Sequence, residues 1–295
     1  SLHGVHTSSG ARIEIRLAGR RSLDEADAHR FIAVAFCAGD YRTRTEHRAL
    51  PPEFRAGDTL ALGPLTAIVE GLHGHPRLLD IRFEGSMNHL WAGIAAHGRP
   101  VQYAHLSQPL QLWDVWTPIA GSPVAYEPPS AGFVLDWRFL TALRQRRIEF
   151  ATITHAAGIS STGDAALDAR LPFDEPYSIS FAASVAIDRA RSRGRRIVAV
   201  GTTVVRALEH AIGTGDNVRP GRGMADQRIG AATRLRVVDM ILTGTHEPHT
   251  SHHDLLRAFA DDEVLAQIDA TLDRKGFRTH EFGDSLLLAR NKRDT

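Results

Sequence analysis

The sequence predicts a two-domain protein, with a small β-barrel domain over residues 1–105 and a layered α/β domain with a mainly parallel sheet over residues 106–295. Roughly the first hundred residues are short runs of alternating apolar and polar residues between Gly, Pro and Asp turn signals, which is typical of a barrel or sandwich. Beyond them, strand-like runs alternate with helical patterns, which favours a sheet covered by helices. A chain of 295 residues has room for two modest cores.

The barrel prediction rests on strands of alternating character. In residues 11–17, Ile13, Ile15 and Leu17 share one face, while the residues between them are charged. Similar runs predict four more strands, at residues 30–36, 58–62, 65–72 and 78–83. Because closing a sheet removes its exposed edges, we expect these strands to form a closed barrel.

The α/β prediction rests on the alternation of helical and strand patterns in the rest of the chain. Residues 87–97 carry apolar side chains at helical spacing, and Gly98 is placed to end that helix. Further helices are predicted at residues 133–145, 179–193, 254–260 and 263–274, and strands at residues 148–154, 197–200, 235–242 and 285–289. The segment at residues 213–230 is rich in Gly, Arg and Asp, and we predict a mobile lid there.

Composition bounds the class of protein. Hydrophobic residues make up 43% of the chain and charged residues 23%, which is typical of a globular protein and not of a disordered one. The single cysteine, Cys37, excludes an intrachain disulfide framework, and no apolar stretch approaches the ~20 residues of a membrane-spanning helix. We therefore expect a cytosolic protein without a membrane partner. We also expect it to be a monomer.

The charge of the chain is nearly balanced. A net charge of +1 gives the molecule little long-range attraction for a polyanion. Basic residues nevertheless cluster at residues 144–147, 189–196 and 219–228. Such clusters are more often solvated faces than phosphate-binding tracks, so a polyanionic partner would have to use one local patch.

The most informative stretch is the junction at residues 197–209. Its apolar β-branched run ends at Gly201 and leads through Thr202 and Thr203 into a helical segment, the place where an α/β fold commonly holds its ligand. The glycine allows close backbone approach, and the N–H groups of the helix start can face an anion. Arg206 needs an anionic partner there, either Glu209 or a ligand carboxylate or phosphate. An ordinary strand–helix junction with a surface ion pair explains the spacing equally well.

Four segments resemble one known family in the same order. The string AVGTTVVRALE, at residues 199–209, is similar to the AVGTT-x-x-R-x-LE string of the S-adenosylmethionine:tRNA ribosyltransferase-isomerases of queuosine biosynthesis. Pro129-Ser130-Ala131-Gly132 is similar to the family's PTAG-type loop, residues 239–259 to its VD…TNFHLP segment, and residues 277–288 to its YRF…GDAMLI ending. Against the family pattern, we expect this chain to lack the usual N-terminal segment.

The resemblance implies a β-barrel domain followed by an α/β catalytic domain, with S-adenosylmethionine as cosubstrate, tRNA as acceptor and no metal. The sulfonium acidifies the neighbouring 5′ carbon, so a base can start the reaction, and the methionine carboxylate needs an anion site. For the cosubstrate, the resemblance and the helix start together indicate Ser130, Gly132, Gly201, Thr202, Thr203 and Arg206. Around the reacting centre they indicate His155, Glu175, Asp239 and His246.

Several of these residues also have structural interpretations. His155 follows the predicted strand 148–154, where a histidine is as often structural as functional. Asp239, inside an apolar strand, is either a hydrogen-bonding anchor or a catalytic acid–base. His246 lies in a cluster with His249, His252 and His253, but the spacing is not that of a zinc motif, so we expect these last three to face solvent or cap the next helix.

The chain departs from the family at two places that bear on its reaction. The family's Leu-His-Phe is Phe133-Val134-Leu135 here, and its His-x-Met-His-x-Glu is replaced by residues 170–175, which keep only Glu175. A Rossmann methyltransferase is disfavoured, because one glycine and not three follows residues 197–200. Two alternatives remain: an enzyme of this fold that uses S-adenosylmethionine on a small-molecule acceptor, and a non-catalytic RNA-binding relative.

Overall fold

The computed structural model describes residues 1–39, 42–102, 108–120, 130–248, 250–277 and 283–290. The chain forms two compact units. The first contains Ser1–Val115 and Ala156–Phe173, and the second contains Trp116–Pro123, Pro128–His155 and Asp174–Thr295. Residues 156–173 thus belong to the first unit although they follow part of the second in sequence, and the boundary near residue 105 remains a prediction.

The regular elements are numbered in chain order. The strands are β1 Leu2–His6, β2 Ala11–Gly19, β3 Arg30–Cys37, β4 Thr59–Leu62, β5 Leu65–His75, β6 Leu78–Phe83, β7 Thr154–His155, β8 Glu175–Ile179, β9 Val198–Val200, β10 Gly221–Ala225, β11 Met240–Gly244 and β12 Ser285–Ala289. The helices are α1 Met87–His97, α2 Trp137–Gln145, α3 Ala165–Asp168, α4 Phe181–Ser192, α5 Thr202–Ile212, α6 Ser251–Leu256 and α7 Asp262–Lys275. Among the described helices, none is both long and apolar enough to cross a membrane.

The first unit is a closed barrel, as the alternating strands predict. Its strands follow the order β1-β2-β3-β6-β5-β4, and neighbouring strands pair antiparallel. Apolar side chains such as Ile13, Ile15 and Phe31 fill the interior. The helix predicted at residues 87–97 is α1, which Ser86 caps by accepting a hydrogen bond from the His89 N–H.

The charged face of β2 is buried, which the alternating pattern did not predict. Glu14 and Arg16 are each only 5% exposed, and Arg16 donates to Glu14 across 2.7 Å. Arg48 also pairs with Glu14, and the guanidinium of Arg16 lies 4.4 Å from the centre of the Phe36 ring. Burial raises the pKa of Glu14, but Arg16 and Arg48 outweigh that effect and lower it to about 2. The barrel therefore has a second, ionic layer outside its apolar interior.

The second unit contains two three-stranded sheets. One follows the order β10-β8-β7 and is antiparallel. The other follows the order β12-β11-β9, in which β9 pairs parallel with β11 and β12 pairs antiparallel. A layered, mainly parallel sheet is therefore not confirmed, because alternation of strands and helices along a chain does not fix the direction in which strands pair.

Helix α5 lies at the centre of this unit. Val205, Leu208, Ala211 and Ile212 on the helix are buried in the core, together with residues of β8, β9, β10 and β11. Both sheets contribute to one apolar cluster around the helix. The helix start is therefore held in a fixed place relative to the strands of its own unit.

Several element boundaries differ from those predicted. The predicted strand at 148–154 is a ladder only at Thr154–His155, and the predicted lid at 213–230 contains strand β10, which pairs with β8. Helix α2 begins at Trp137 and not at residue 133, because the Asp136 carboxylate accepts the Phe139 N–H and caps the helix there. Strands β1 and β8 were not predicted.

Candidate active site

The candidate site begins where β9 passes into α5. Gly201 has φ 95° and ψ 149°, a conformation that L side chains rarely adopt, and its N–H donates to the carbonyl of Leu242 at 2.8 Å. The N-cap residue is Gly201 itself, which has no side chain to accept from the helix N–H groups. The first N–H groups of the helix, from Thr202 and Thr203, lack acceptors within the helix and lie at the positive end of its dipole. This arrangement suits an anionic ligand group.

Strand β11 ends at the same edge of its sheet. Because β9 and β11 are parallel and Val200 is in register with Leu242, the residues after both strands meet at one edge. The hydroxyl of Thr243, which is 1% exposed, hydrogen bonds with Nε2 of His246 at 2.8 Å. Burial lowers the pKa of His246 to about 3, with smaller contributions from His252 and His253. His246 is therefore neutral at physiological pH.

The short 3₁₀ turn Ser130–Gly132 completes this edge. A Cβ placed on Gly201 would lie 3.7 Å from the Cβ of Ala131, so the turn lies against the start of α5. The turn also packs on β11. The edge cluster, as we call it, comprises Ser130–Gly132, Gly201–Thr203 and the stretch from Thr243 to His246.

Gly132 is buried against two residues that the sequence did not single out. A Cβ on Gly132 would come within 3.0 Å of Cδ1 of Ile119 and 3.5 Å of Oγ1 of Thr117. Thr117 is fully buried, and its hydroxyl has no hydrogen-bond partner among the described residues. A buried hydroxyl of this kind has hydrogen-bonding capacity left for a ligand or a water molecule.

Arg206 lies one helical turn beyond the edge cluster and is 3% exposed. Its Nη1 lies 2.7 Å from Oε2 of Glu175, and its guanidinium also donates to the carbonyls of Ala225 and Gln227. Glu209, the other candidate partner, instead accepts the backbone N–H groups of residues 236–238. The surface Arg206–Glu209 pair is therefore not observed. Because the pair with Glu175 is buried, loss of the Arg206 side chain would leave an uncompensated charge in the fold.

His155 lies at the end of β7, opposite Tyr177 in the antiparallel register. Burial lowers the pKa of His155, and Glu175 opposes that shift. The Nδ1 atom of His155 has no hydrogen-bond partner within the described part of the chain. A neutral imidazole with one nitrogen left unpaired can accept a proton or hydrogen bond to a substrate.

Tyr177 and His210 form a polar pair that the sequence did not predict. The Tyr177 hydroxyl hydrogen bonds with Nδ1 of His210 at 2.8 Å, and burial raises the pKa of that tyrosine. Arg206 and His210 are four residues apart on α5, and Glu175 and Tyr177 are two apart on β8, so two successive contacts join helix and strand. Only the structure shows this match, because it depends on which strand lies beneath α5.

Asp239 lies at the opposite end of its sheet. Its Oδ2 accepts the Ile197 N–H at 2.9 Å, and its Oδ1 accepts Nη2 of Arg290 at 2.9 Å. Ile197 precedes β9 and Asp239 precedes β11, so the length of the strands, about 3.3 Å per residue, separates Asp239 from the edge cluster. The structure therefore does not bring Asp239 to the other candidate residues, and its contacts are those of a structural anchor.

His252 and His253 are half-buried and make contacts within the protein, although solvent exposure or helix capping was expected of them. The His252 ring stacks edge-on against His246 with centroids 4.9 Å apart, and His253 lies 3.2 Å from a carboxylate oxygen of Asp269. Thr250, and not a histidine, caps α6 by accepting the His253 N–H. His249 and the Pro129 of the PTAG-like loop lie outside the described residues.

Comparison with known proteins identifies the family. A sequence profile described as queuosine biosynthesis protein matches residues 1–288. The S-adenosylmethionine:tRNA ribosyltransferase-isomerase of Moorella thermoacetica is 35% identical over 164 residues, which are 54% of this chain and 48% of that protein. The enzyme of the same name from Pelobacter propionicus is 31% identical over 244 residues, 79% of this chain and 70% of that protein.

The chain spans about half the length of the first of these relatives. A crystal structure of S-adenosylmethionine tRNA ribosyltransferase from Thermotoga maritima aligns with 97% of this chain and 77% of its own, at 21% identity and a TM-score of 0.46. The profile match extends over nearly the whole chain. The protein therefore belongs to the queuosine biosynthesis protein family.

Proposed function

We propose that the protein transfers and isomerises the ribosyl group of S-adenosylmethionine onto 7-aminomethyl-7-deazaguanine in tRNA, giving epoxyqueuosine and releasing adenine and methionine. Relatives of that name match the chain, and the edge cluster carries the proposal, because it gathers three of the family-like segments at one sheet edge. S-adenosylmethionine is the cosubstrate, and no metal takes part. With tRNA as its substrate, the protein is placed in the cytoplasm by this proposal.

The edge cluster is the proposed cosubstrate site. The methionine carboxylate lies at the start of α5, where the N–H groups of Thr202 and Thr203 can donate to it. Gly201 lacks a side chain where the ligand approaches the backbone, Gly132 lets the turn pack on Ile119 and Thr117, and Ser130 completes the proposed site. Arg206 acts from beneath: its pair with Glu175 fixes the first turn of α5 on β8 and so holds the anion site in place.

The two neutral histidines take different roles in this proposal. A base must remove a proton from the 5′ carbon next to the sulfonium. Nε2 of His246 is already hydrogen bonded to the Thr243 hydroxyl, so His246 serves as a hydrogen-bonding imidazole. We assign the removal of this proton to Nδ1 of His155, and Glu175 stabilises the imidazolium that forms. Asp239 is a positioning residue for the sheet.

Titration calorimetry with S-adenosylmethionine, followed by chromatography for released adenine with and without modified tRNA, tests the proposal. We expect binding, and adenine release only when tRNA is present. Thr203→Pro removes one of the N–H groups in the first turn of α5 and should weaken cosubstrate binding, whereas Glu263→Pro, at the same place in α7, should not. Release of adenine without tRNA would favour a small-molecule acceptor, and absence of binding would contradict the enzyme assignment.

A further inference from the structure

Helix α2 is unusual in this fold because none of its residues is buried. Only Leu140 and Leu143 are partly covered, so the helix rests on the protein along one narrow face. The rest of its circumference is exposed, including Trp137 at 73% and Phe139 at 40%. Exposed aromatic rings at this density are typical of a binding surface.

The same helix carries a concentration of positive charge. We define the α2 surface as Trp137, Arg138, Phe139, Arg144, Arg146 and Arg147, all of which are exposed. No ion pair with a carboxylate is found for these four arginines in the part of the chain that the structure describes. The nearest acidic residues in sequence are already engaged, since Asp136 caps α2 and Glu149 pairs with Arg189.

The end of α2 provides an independent observation. Ile148 N–H donates to the Leu143 carbonyl and Arg147 N–H to the Arg144 carbonyl, which is the Schellman arrangement that normally has glycine in the left-handed position. Here that position is Arg147, with φ 55°, and among the described residues it is the one non-glycine with positive φ. A left-handed arginine costs stability that glycine would not, and such strain is concentrated at functional positions.

We propose that the α2 surface is where this protein binds RNA, with arginines on phosphates and Trp137 stacked on an unpaired base. The inference rests on the proposed function for the identity of the polyanion as tRNA. Aromatic rings interleaved with guanidiniums match single-stranded RNA, which offers both unstacked bases and closely spaced phosphates. With a net charge of only +1, the molecule needs a local surface of this kind to attract a polyanion.

Another basic group supplies the matched control. Arg193, Arg195 and Arg196 are equally exposed and have no ion pair within the described ranges, but no aromatic residue stands among them. A triple change of these residues to Ala removes the same charge as Arg138, Arg144 and Arg146→Ala. If charge alone attracted the RNA, the two triple variants would weaken binding equally.

The test measures affinity for tRNA by filter binding from 50 to 200 mM salt. We expect the α2 triple variant to lower the slope of log K against log salt by about 2 to 3, and Trp137→Ala to weaken binding about tenfold. The control triple variant should bind nearly as the unchanged protein does. S-adenosylmethionine affinity should be unaltered in all of them, because the edge cluster is untouched.

Arg147→Gly gives the sharpest test, because it should raise the stability of the fold and at the same time weaken RNA binding. Glycine relieves the left-handed strain, so the melting temperature should rise by about 2 to 4 °C, while the salt slope falls by about 1. If Arg147 has a purely structural role, Arg147→Gly will raise the melting temperature and leave RNA binding unchanged. That result would contradict the proposal.

Three outcomes would overturn the inference. If the unchanged protein binds tRNA and the α2 triple variant binds it with the same affinity and slope, the RNA surface lies elsewhere and the proposed function stands. If the variants instead lose self-association in sedimentation with tRNA binding intact, α2 is an interface between copies. If the unchanged protein binds S-adenosylmethionine but no tRNA, the inference and the tRNA part of the proposed function fail together.

Discussion

The guanidinium of Arg206 and the carboxylate of Glu175 are both almost fully buried, so each charge depends on the other. Removing one partner leaves an uncompensated charge in the core of the second unit. We therefore expect Arg206→Ala to lower the free energy of unfolding by about 3 to 5 kcal/mol in urea denaturation. Arg138→Ala, an exposed change on α2, should alter it by less than about 0.5 kcal/mol.

A double change of Arg206→Met and Glu175→Gln separates charge from packing. Because no lone charge remains, the double variant should recover part of the stability that Arg206→Ala loses. If Arg206→Ala costs less than about 1 kcal/mol, the pair is not the structural element described here, and a direct role of Arg206 at the ligand becomes the better explanation.

His246 makes stability depend on pH in a defined direction. Its pKa is about 3 in the fold against 6.5 for an ordinary histidine, so the unfolded chain binds more protons between these values. The neutral ring therefore contributes stability above pH 6.5 that is lost as the pH falls towards 3. The proton NMR signal of the His246 ring, assigned with His246→Asn, should stay constant from pH 7.5 to 5. A titration centred near 6.5 would contradict the buried environment.

At the scale of elements, the start of α5 depends on one backbone conformation. Gly201 has φ 95° and ψ 149°, a region that is almost exclusive to glycine. Among the described residues, a Cβ there would meet Ala131 alone, at 3.7 Å, so the cost of a side chain is conformational and not steric. Gly201→Ala should lower the free energy of unfolding by about 1 to 3 kcal/mol and weaken S-adenosylmethionine binding.

Gly215 provides the control for this change. It lies in the turn after α5 without a positive φ, and the nearest atom to an added Cβ, the Ile212 carbonyl oxygen, is 3.7 Å away. Gly215→Ala should leave both the stability and the cosubstrate affinity nearly unchanged in the same denaturation and calorimetry experiments. Equal effects of the two substitutions would show that the conformation of Gly201 has no special role.

The elements that the sequence predicted well are those with strong local signals. The barrel strands follow their alternation, and α1 has both the predicted start and the predicted end, because Ser86 and Gly98 mark them. The prediction of a strand over residues 148–154 was wrong except at its end, because apolar periodicity does not reveal whether a partner strand is present. Strand β10, Gly-rich and charged, carries little strand propensity of its own and forms because β8 lies beside it.

The candidate site was predictable as segments but not as contacts. The turn at Ser130 and the junction at Gly201 meet as their family-like strings suggest. The partner of Arg206 was not predictable, since Glu175 is distant in sequence and Glu209 was the plausible local choice. The distance of Asp239 from the other candidates follows from strand direction, which no pattern in residues 235–242 specifies.

For the whole molecule, the net charge is nearly zero, but the arginines are divided between buried and exposed positions. In the barrel unit, Arg16, Arg48 and Arg77 surround the Phe36 ring at 4.4 to 5.3 Å, so these cations serve folding. In the second unit Arg206 is likewise buried, while the arginines of the α2 surface are exposed. The arginines of this chain therefore divide into structural and accessible charges, and their burial tells them apart.

The central claim is that this chain moves the ribosyl group of S-adenosylmethionine onto tRNA. Incubation with S-adenosylmethionine labelled in the ribose, together with tRNA that carries 7-aminomethyl-7-deazaguanine, tests it most directly. We predict that label enters the tRNA in equal amount to the adenine released, and that tRNA lacking the aminomethyl group takes up none. Consumption of S-adenosylmethionine with all label left in small molecules, or no consumption at all, would contradict the claim.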